Sequence, residues 1–143
     1  MRPPREPLLD ASTMRFLATG VLNTLLTATV IFALKAGLQA GDVAANVIGY
    51  LCGLASSFAL NSRWTFDYGG SQIVALRRFV LAFLLAYGLN LLLVLALIRT
   101  GVNPYLAHLA GMPAYTLAFY LLCRHYVFVG QRRPELMAPA ATA

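Results

Sequence analysis

The chain has 143 residues, 59% of them apolar and only 11% charged, with 11 Lys and Arg against 5 Asp and Glu for a net charge of +6. A soluble domain carries about 25% charged residues to cover its surface, and a disordered chain needs more polarity still. Both classes are excluded, which leaves one small integral membrane domain.

Residues 1–13 form a Pro- and Arg-containing N-terminal tail. Four apolar stretches follow, at Arg15 to Lys35, Asp42 to Asn61, Arg78 to Arg99 and Pro104 to Val127, each of 20 to 24 residues. Helices of that length match the ~30 Å hydrocarbon layer. The alternating pattern of a membrane β-strand is absent. The first stretch is longer than the ~7–15 apolar residues of a cleavable signal, so it is expected to be retained. Short Gly-containing connections, Ala36 to Gly41 and Thr100 to Asn103, predict tight helical hairpins. The middle connection, Ser62 to Arg77, is longer and carries the turn-forming run Asp67-Tyr68-Gly69-Gly70-Ser71. A C-terminal tail occupies residues 130–143, so the membrane domain is read as residues 14–129.

The charges sort by side. Arg2, Arg5, Arg15, Arg63, Arg77, Arg78, Arg124, Arg132 and Arg133 fall with the termini and the middle connection, while Lys35 and Arg99 fall on the other side. This asymmetry predicts that both termini are cytoplasmic, and it accounts for the net charge without nucleic acid. Cys52 and Cys123 lie in apolar stretches with no Cys or His at ligand spacing, and read as small packing residues.

The two halves of the chain correspond. Arg15-Phe16 recurs as Arg78-Phe79 after 63 residues, and Ala45 and Gly49 recur as Ala107 and Gly111 after 62. Asn61 to Phe66 closes the first half, and Cys123 to Phe128 closes the second with a similar basic-aromatic-β-branched-Phe order. The expected fold is therefore an all-α membrane protein of four transmembrane helices, arranged as two tandem two-helix repeats of the same orientation.

No Asp or Glu lies within the apolar cores, no nucleophile triad or phosphate-cradling Gly loop is present, and no cluster has metal-ligand spacing. The chain is expected not to be an enzyme and to need no cofactor. What the spans do carry is amide, hydroxyl and guanidinium groups. Asn23 lies eight residues after Arg15, about 12 Å deeper near the same face, with Thr19 between them. Asn90 stands near mid-depth in the third span with Tyr87 a turn earlier, Asn46 and His108 lie near the far ends, and Ser56, Ser57 and Asn61 lie in the second span. Taken singly, such residues serve as hydrogen-bond glue between helices. Together they could line a polar groove.

Arg15, Arg63, Arg78 and Arg124 mark the ends of all four spans. Each alone is a snorkelling anchor. Brought together, they would offer the group best shaped to grip a phosphate. Trp64, His125 and Tyr126 beside them form an interfacial belt or a stacking face for a sugar. The phosphate candidates are thus Arg15, Arg63, Arg78 and Arg124, and the headgroup candidates are Asn23, Asn61, Trp64, Asn90, His125 and Tyr126. Pro113, near Gly111 in the fourth span, is expected to kink the helix or free a carbonyl. Gly49, Gly53, Ala55 and Ala59 on the second span allow close helix contact, either within one subunit or in a homodimer.

On these features the chain resembles the GtrA-like family of small four-span membrane proteins. Those that carry the likeness are Arg15-Phe16 with Gly20 and Asn23, Asn61 to Phe66, Arg78-Phe79, and Arg124 to Phe128. The resemblance implies a flippase that moves a polyprenyl-phosphate-linked sugar from the cytoplasmic to the outer leaflet of the bacterial inner membrane, for cell-envelope polysaccharide modification. Its implied partners are that lipid-linked sugar, membrane lipids and a polyprenyl-phosphate glycosyltransferase. The alternative is a non-transporting scaffold that recruits the glycosyltransferase. A proton-coupled multidrug exporter is disfavoured, because it would need a membrane-embedded carboxylate. The second half has Leu122 and Cys123 before Arg124 where the first has Asn61 before Arg63, which argues against equivalent headgroup contacts in both halves.

Overall fold

The computed structural model describes residues 11–130. Arg2, Arg5, Arg132, Arg133 and most of both tails lie outside the described residues. Helix α1 runs over Ala11–Leu38, α2 over Asp42–Leu60, α3 over Gln72–Arg99 and α4 over Pro104–Leu122. Helices α2 and α4 each continue into a five-residue π turn, Asn61–Thr65 and Cys123–Val127 respectively. The described residues are 87% helical, and the four helices are long and apolar enough to cross a bilayer. Large apolar side chains such as Leu25, Phe32, Leu84, Leu92 and Leu109 face outward, as lipid contact requires. The protein is a multi-pass membrane protein.

The middle connection is shorter than its sequence suggests. Residues 62–65 belong to the first π turn and α3 begins at Gln72, so only residues 66–71 are non-helical and Arg77 and Arg78 lie inside a helix. The physical reason is that polar residues at a membrane interface do not by themselves stop a helix; the chain breaks around Asp67, which takes a φ of 47°.

The chain divides into two compact units, meeting in sequence at Asp67 and Tyr68. In the first, α1 pairs with α2; in the second, α3 pairs with α4. The elements have the same lengths in both units, 28, 19 and 5 residues in order.

Each pair meets along rows of residues spaced four apart, which form the natural ridges of an α-helix. In the first unit, α2 buries Ala45, Gly49, Gly53 and Ser57. Beta-carbons added at Gly49 and Gly53 would strike Ile31 and Thr27 respectively, so those α1 side chains fill the space the glycines leave. In the second unit, α4 buries Ala107 and Gly111, and a β-carbon at Gly111 would strike Asn90 and lie 2.8 Å from Val94 Cγ2. Small residues let the backbones approach, and dispersion contacts replace the hydrophobic drive that lipid cannot supply. Gly49 and Gly53 are thereby used within one subunit, while Ala55 is exposed and Ala59 half-buried.

The hairpin turns differ in chemistry. After α3, Gly101 takes a φ of 87°, its N–H donates to the Ile98 carbonyl at 3.0 Å, and Val102 N–H donates to the Leu97 carbonyl at 3.0 Å. This is a glycine-based Schellman stop. Asn103 then caps α4, its side-chain oxygen accepting from Tyr105 N–H at 2.9 Å, with Pro104 at the first helical position. In the first unit Gln39 holds the left-handed position, with a φ of 50°, and an exposed Lys35–Asp42 ion pair spans the turn. Helix α4 continues through Pro113, which is exposed.

Candidate functional site

A π turn adds one residue to a helical turn and is frequent at functional sites. The two here are closed by the N–H of Phe66 donating to the Asn61 carbonyl and that of Phe128 donating to the Cys123 carbonyl, each at 2.9 Å. In both units the start of the first helix meets the π turn of the second, though by different chemistry.

In the first unit three consecutive contacts join them. Arg15 Nη1 donates to the Trp64 carbonyl at 3.2 Å. Phe16 packs edge-on against Phe66 at 6.3 Å. Thr19 and Thr65 share a buried hydroxyl–hydroxyl hydrogen bond of 3.2 Å. The polar character continues along the seam, because Asn61 Nδ2 donates to Ser57 Oγ at 3.2 Å and a β-carbon at Gly53 would stand 3.0 Å from Asn23 Oδ1. Thr19, Asn23 and Thr27 on α1 thus run beside Gly53, Ser57, Asn61 and Thr65 of the partner segment.

The second unit fills the corresponding positions with apolar groups. Thr19 and Asn23 become Ala82 and Ala86; Gly53, Ser57, Asn61 and Thr65 become Tyr115, Phe119, Cys123 and Val127. Small residues on α3 face large ones on α4, and the aromatic cluster closes tightly: Phe79 meets Phe119 at 5.2 Å and Phe128 at 6.3 Å, and Tyr68 meets Phe128 at 5.6 Å. Asn90 adds an amide to this seam, directed at Gly111. Arg78 lies over the Tyr126 ring at 5.7 Å, and Arg124 donates to the Tyr120 hydroxyl at 2.7 Å while sitting 5.9 Å from the ring of the same residue. Cation–π contacts of this kind attract a guanidinium to an aromatic face, more strongly where water is excluded.

Among the described residues, three side-chain acceptors are buried without a hydrogen-bond partner: Asn23 Oδ1, Asn61 Oδ1 and Asn90 Oδ1. Those of Asn23 and Asn90 are aimed at glycines of the facing helix, Gly53 and Gly111. A glycine Cα–H is a weak donor that recurs at close helix contacts. Asn61 is the most deeply buried of the three residues, at 1% exposed, where Asn23 and Asn90 are half-buried. An orphan acceptor of this kind costs about 1–3 kcal/mol.

Of the sequence candidates, the first unit brings Arg15, Asn23, Asn61 and Trp64 to one seam and its end. In the second unit Arg78 and Tyr126 stand together and Arg124 turns back onto Tyr120. Arg63 and His125 are exposed. Asn46 is exposed and bonds its own helix through the Asp42 carbonyl at 2.8 Å, and His108 is exposed, so neither joins a seam. Cys123 is fully buried, as a packing residue should be, whereas Cys52 faces outward. Thr27 and Thr65 were not singled out from sequence; the available signals were the four-residue spacings Arg15, Thr19, Asn23, Thr27 and Gly53, Ser57, Asn61, Thr65. Among the described residues no group of three or more His, Cys, Asp or Glu could hold a metal ion.

Paired apolar helices, each pair closed by a π turn that an arginine of its first helix contacts, define a small helical membrane protein with polar groups held at one end of each hairpin. The chain matches the family model described as GtrA/DPMS, transmembrane domain, over residues 15–128, and it belongs to that family. The family is generally linked to lipid-linked sugar translocation. No curated protein matches the chain.

Proposed function

We propose that the protein is a carrier for a polyprenyl-phosphate-linked sugar, moving it from the cytoplasmic to the outer leaflet of the bacterial inner membrane for modification of cell-envelope polysaccharide. The observation that carries this reading is the polar seam of the first unit, where amides and hydroxyls are buried in a chain that is otherwise apolar. A lipid tail can stay in hydrocarbon throughout, whereas its anionic phosphate and sugar need polar groups at every depth. Arg15 commits one N–H to the Trp64 carbonyl, and a guanidinium has five, so it can take a phosphate as well. The arginine asymmetry of the sequence supports a cytoplasmic position for this end, where the substrate would be made. The protein acts without catalysis, and the substrate gradient sets the direction.

The test is transfer of a fluorescent polyprenyl-phosphate sugar between leaflets of vesicles containing the purified protein. Wild type should accelerate transfer, and Arg15→Ala should slow it by about tenfold or more, the loss of a charge-assisted contact.

A second reading is a scaffold that docks a polyprenyl-phosphate glycosyltransferase. Adjacent exposed side chains on the π turns favour it, Arg63 and Trp64 on the first and His125 and Tyr126 on the second. Co-purification of the glycosyltransferase together with no transfer by the protein alone would select it.

A further inference from the structure

We infer that the first helix pair alone reads the sugar, and that Asn61 is the residue that sets its specificity. This rests on the carrier reading and names the part of the seam that recognises the headgroup. Asn61 is buried to 1%, its amide nitrogen is held by Ser57 Oγ at 3.2 Å, and its carbonyl oxygen is unpartnered. The amide is thus fixed by one bond while its acceptor is left open.

The chemistry of that acceptor selects the ligand. An ionised phosphate diester has only acceptors, and a prenyl chain has neither donors nor acceptors. Sugar hydroxyls are donors, so of the three parts of the substrate only the sugar can satisfy Asn61 Oδ1. The position suits this role, because Asn61 lies three residues before Trp64, whose carbonyl holds Arg15. Three residues are less than one helical turn, so the Asn61 and Trp64 positions are neighbours along the first π turn.

Access follows from the same contacts. Arg15, Phe16 and Thr19 close α1 over the first π turn. A phosphate that draws Arg15 off the Trp64 carbonyl loosens this closure, so capture of the phosphate and uncovering of Asn61 are one event. The second unit cannot do the same, since Cys123 stands where Asn61 would be, Phe119 stands for Ser57, and Phe79 packs onto Phe119 at 5.2 Å.

The experiment measures binding to the full-length protein in nanodiscs. The probes are polyprenyl phosphate and polyprenyl-phosphate glucose, galactose and mannose of equal chain length. Wild type should bind at least one sugar lipid about tenfold more tightly than polyprenyl phosphate, the worth of one or two buried hydrogen bonds. Asn61→Cys, which installs the residue of the second half, should abolish that preference and leave polyprenyl phosphate binding unchanged. Ser57→Ala, which frees the amide, should weaken the preference, and Cys123→Ala should leave it intact. A preference that survives in Asn61→Cys overturns the inference, as does its loss in Cys123→Ala. Transfer by a wild type that does not distinguish the sugar lipids from polyprenyl phosphate overturns the inference and leaves the carrier reading standing; absence of both binding and transfer overturns both.

Discussion

Gly53 shows how much of this protein depends on single atoms. The hydrogen it carries in place of a side chain leaves room for Thr27 and Asn23. Gly53→Ala should destabilise the folded protein by about 1–3 kcal/mol, the usual cost of overpacking, read as a lower melting temperature in detergent. Gly20→Ala is the control, since nothing lies within 4 Å of a β-carbon there. Gln39 presents the opposite case: it holds a left-handed φ of 50° where the other hairpin has Gly101 at 87°. Gln39→Gly should stabilise by up to about 1 kcal/mol by removing that steric cost, measured the same way.

The helices and π turns combine these residues into two closures of different chemistry. In the first, Thr19 and Thr65 bond each other in a buried setting; in the second, Ala82 and Val127 occupy the corresponding positions, both fully buried. A hydroxyl stranded in such a place is costlier than a pair replaced together. Thr19→Ala and Thr65→Val should therefore each destabilise by about 1–2 kcal/mol, while the double variant should lose much less than the sum, and a double-mutant cycle on melting data measures the coupling. The π turn is part of this arrangement, because the Trp64 carbonyl that accepts from Arg15 lies within it.

For the molecule as a whole, lipid on the outside and small residues at the seams explain why so few large apolar side chains are buried. The arginine asymmetry predicts which end faces the cytoplasm. In a Cys52→Ser background, Gln39→Cys should react with a membrane-impermeant maleimide in intact cells, whereas Gly69→Cys should react only after permeabilisation. Reversal of that pattern would invert the topology and put Arg15 on the wrong side to capture a substrate made in the cytoplasm.

Composition, span length and hairpin glycines were enough to read four helices from the sequence, because the bilayer demands long apolar segments whatever they pack against. The correspondence Arg15-Phe16 with Arg78-Phe79 was also legible, and so was the absence of an Asn61 equivalent in the second half. Which polar residues face a neighbour was a matter for the tertiary structure. Asn23 and Asn46 are the same residue type, yet one meets Gly53 across a helix interface and the other bonds its own backbone. The π turns were equally hidden, since one extra residue per turn leaves no mark in hydropathy. Sequence sets what the membrane will accept along each helix; the pairing of helices decides which amides lose access to water and are left with an open bond.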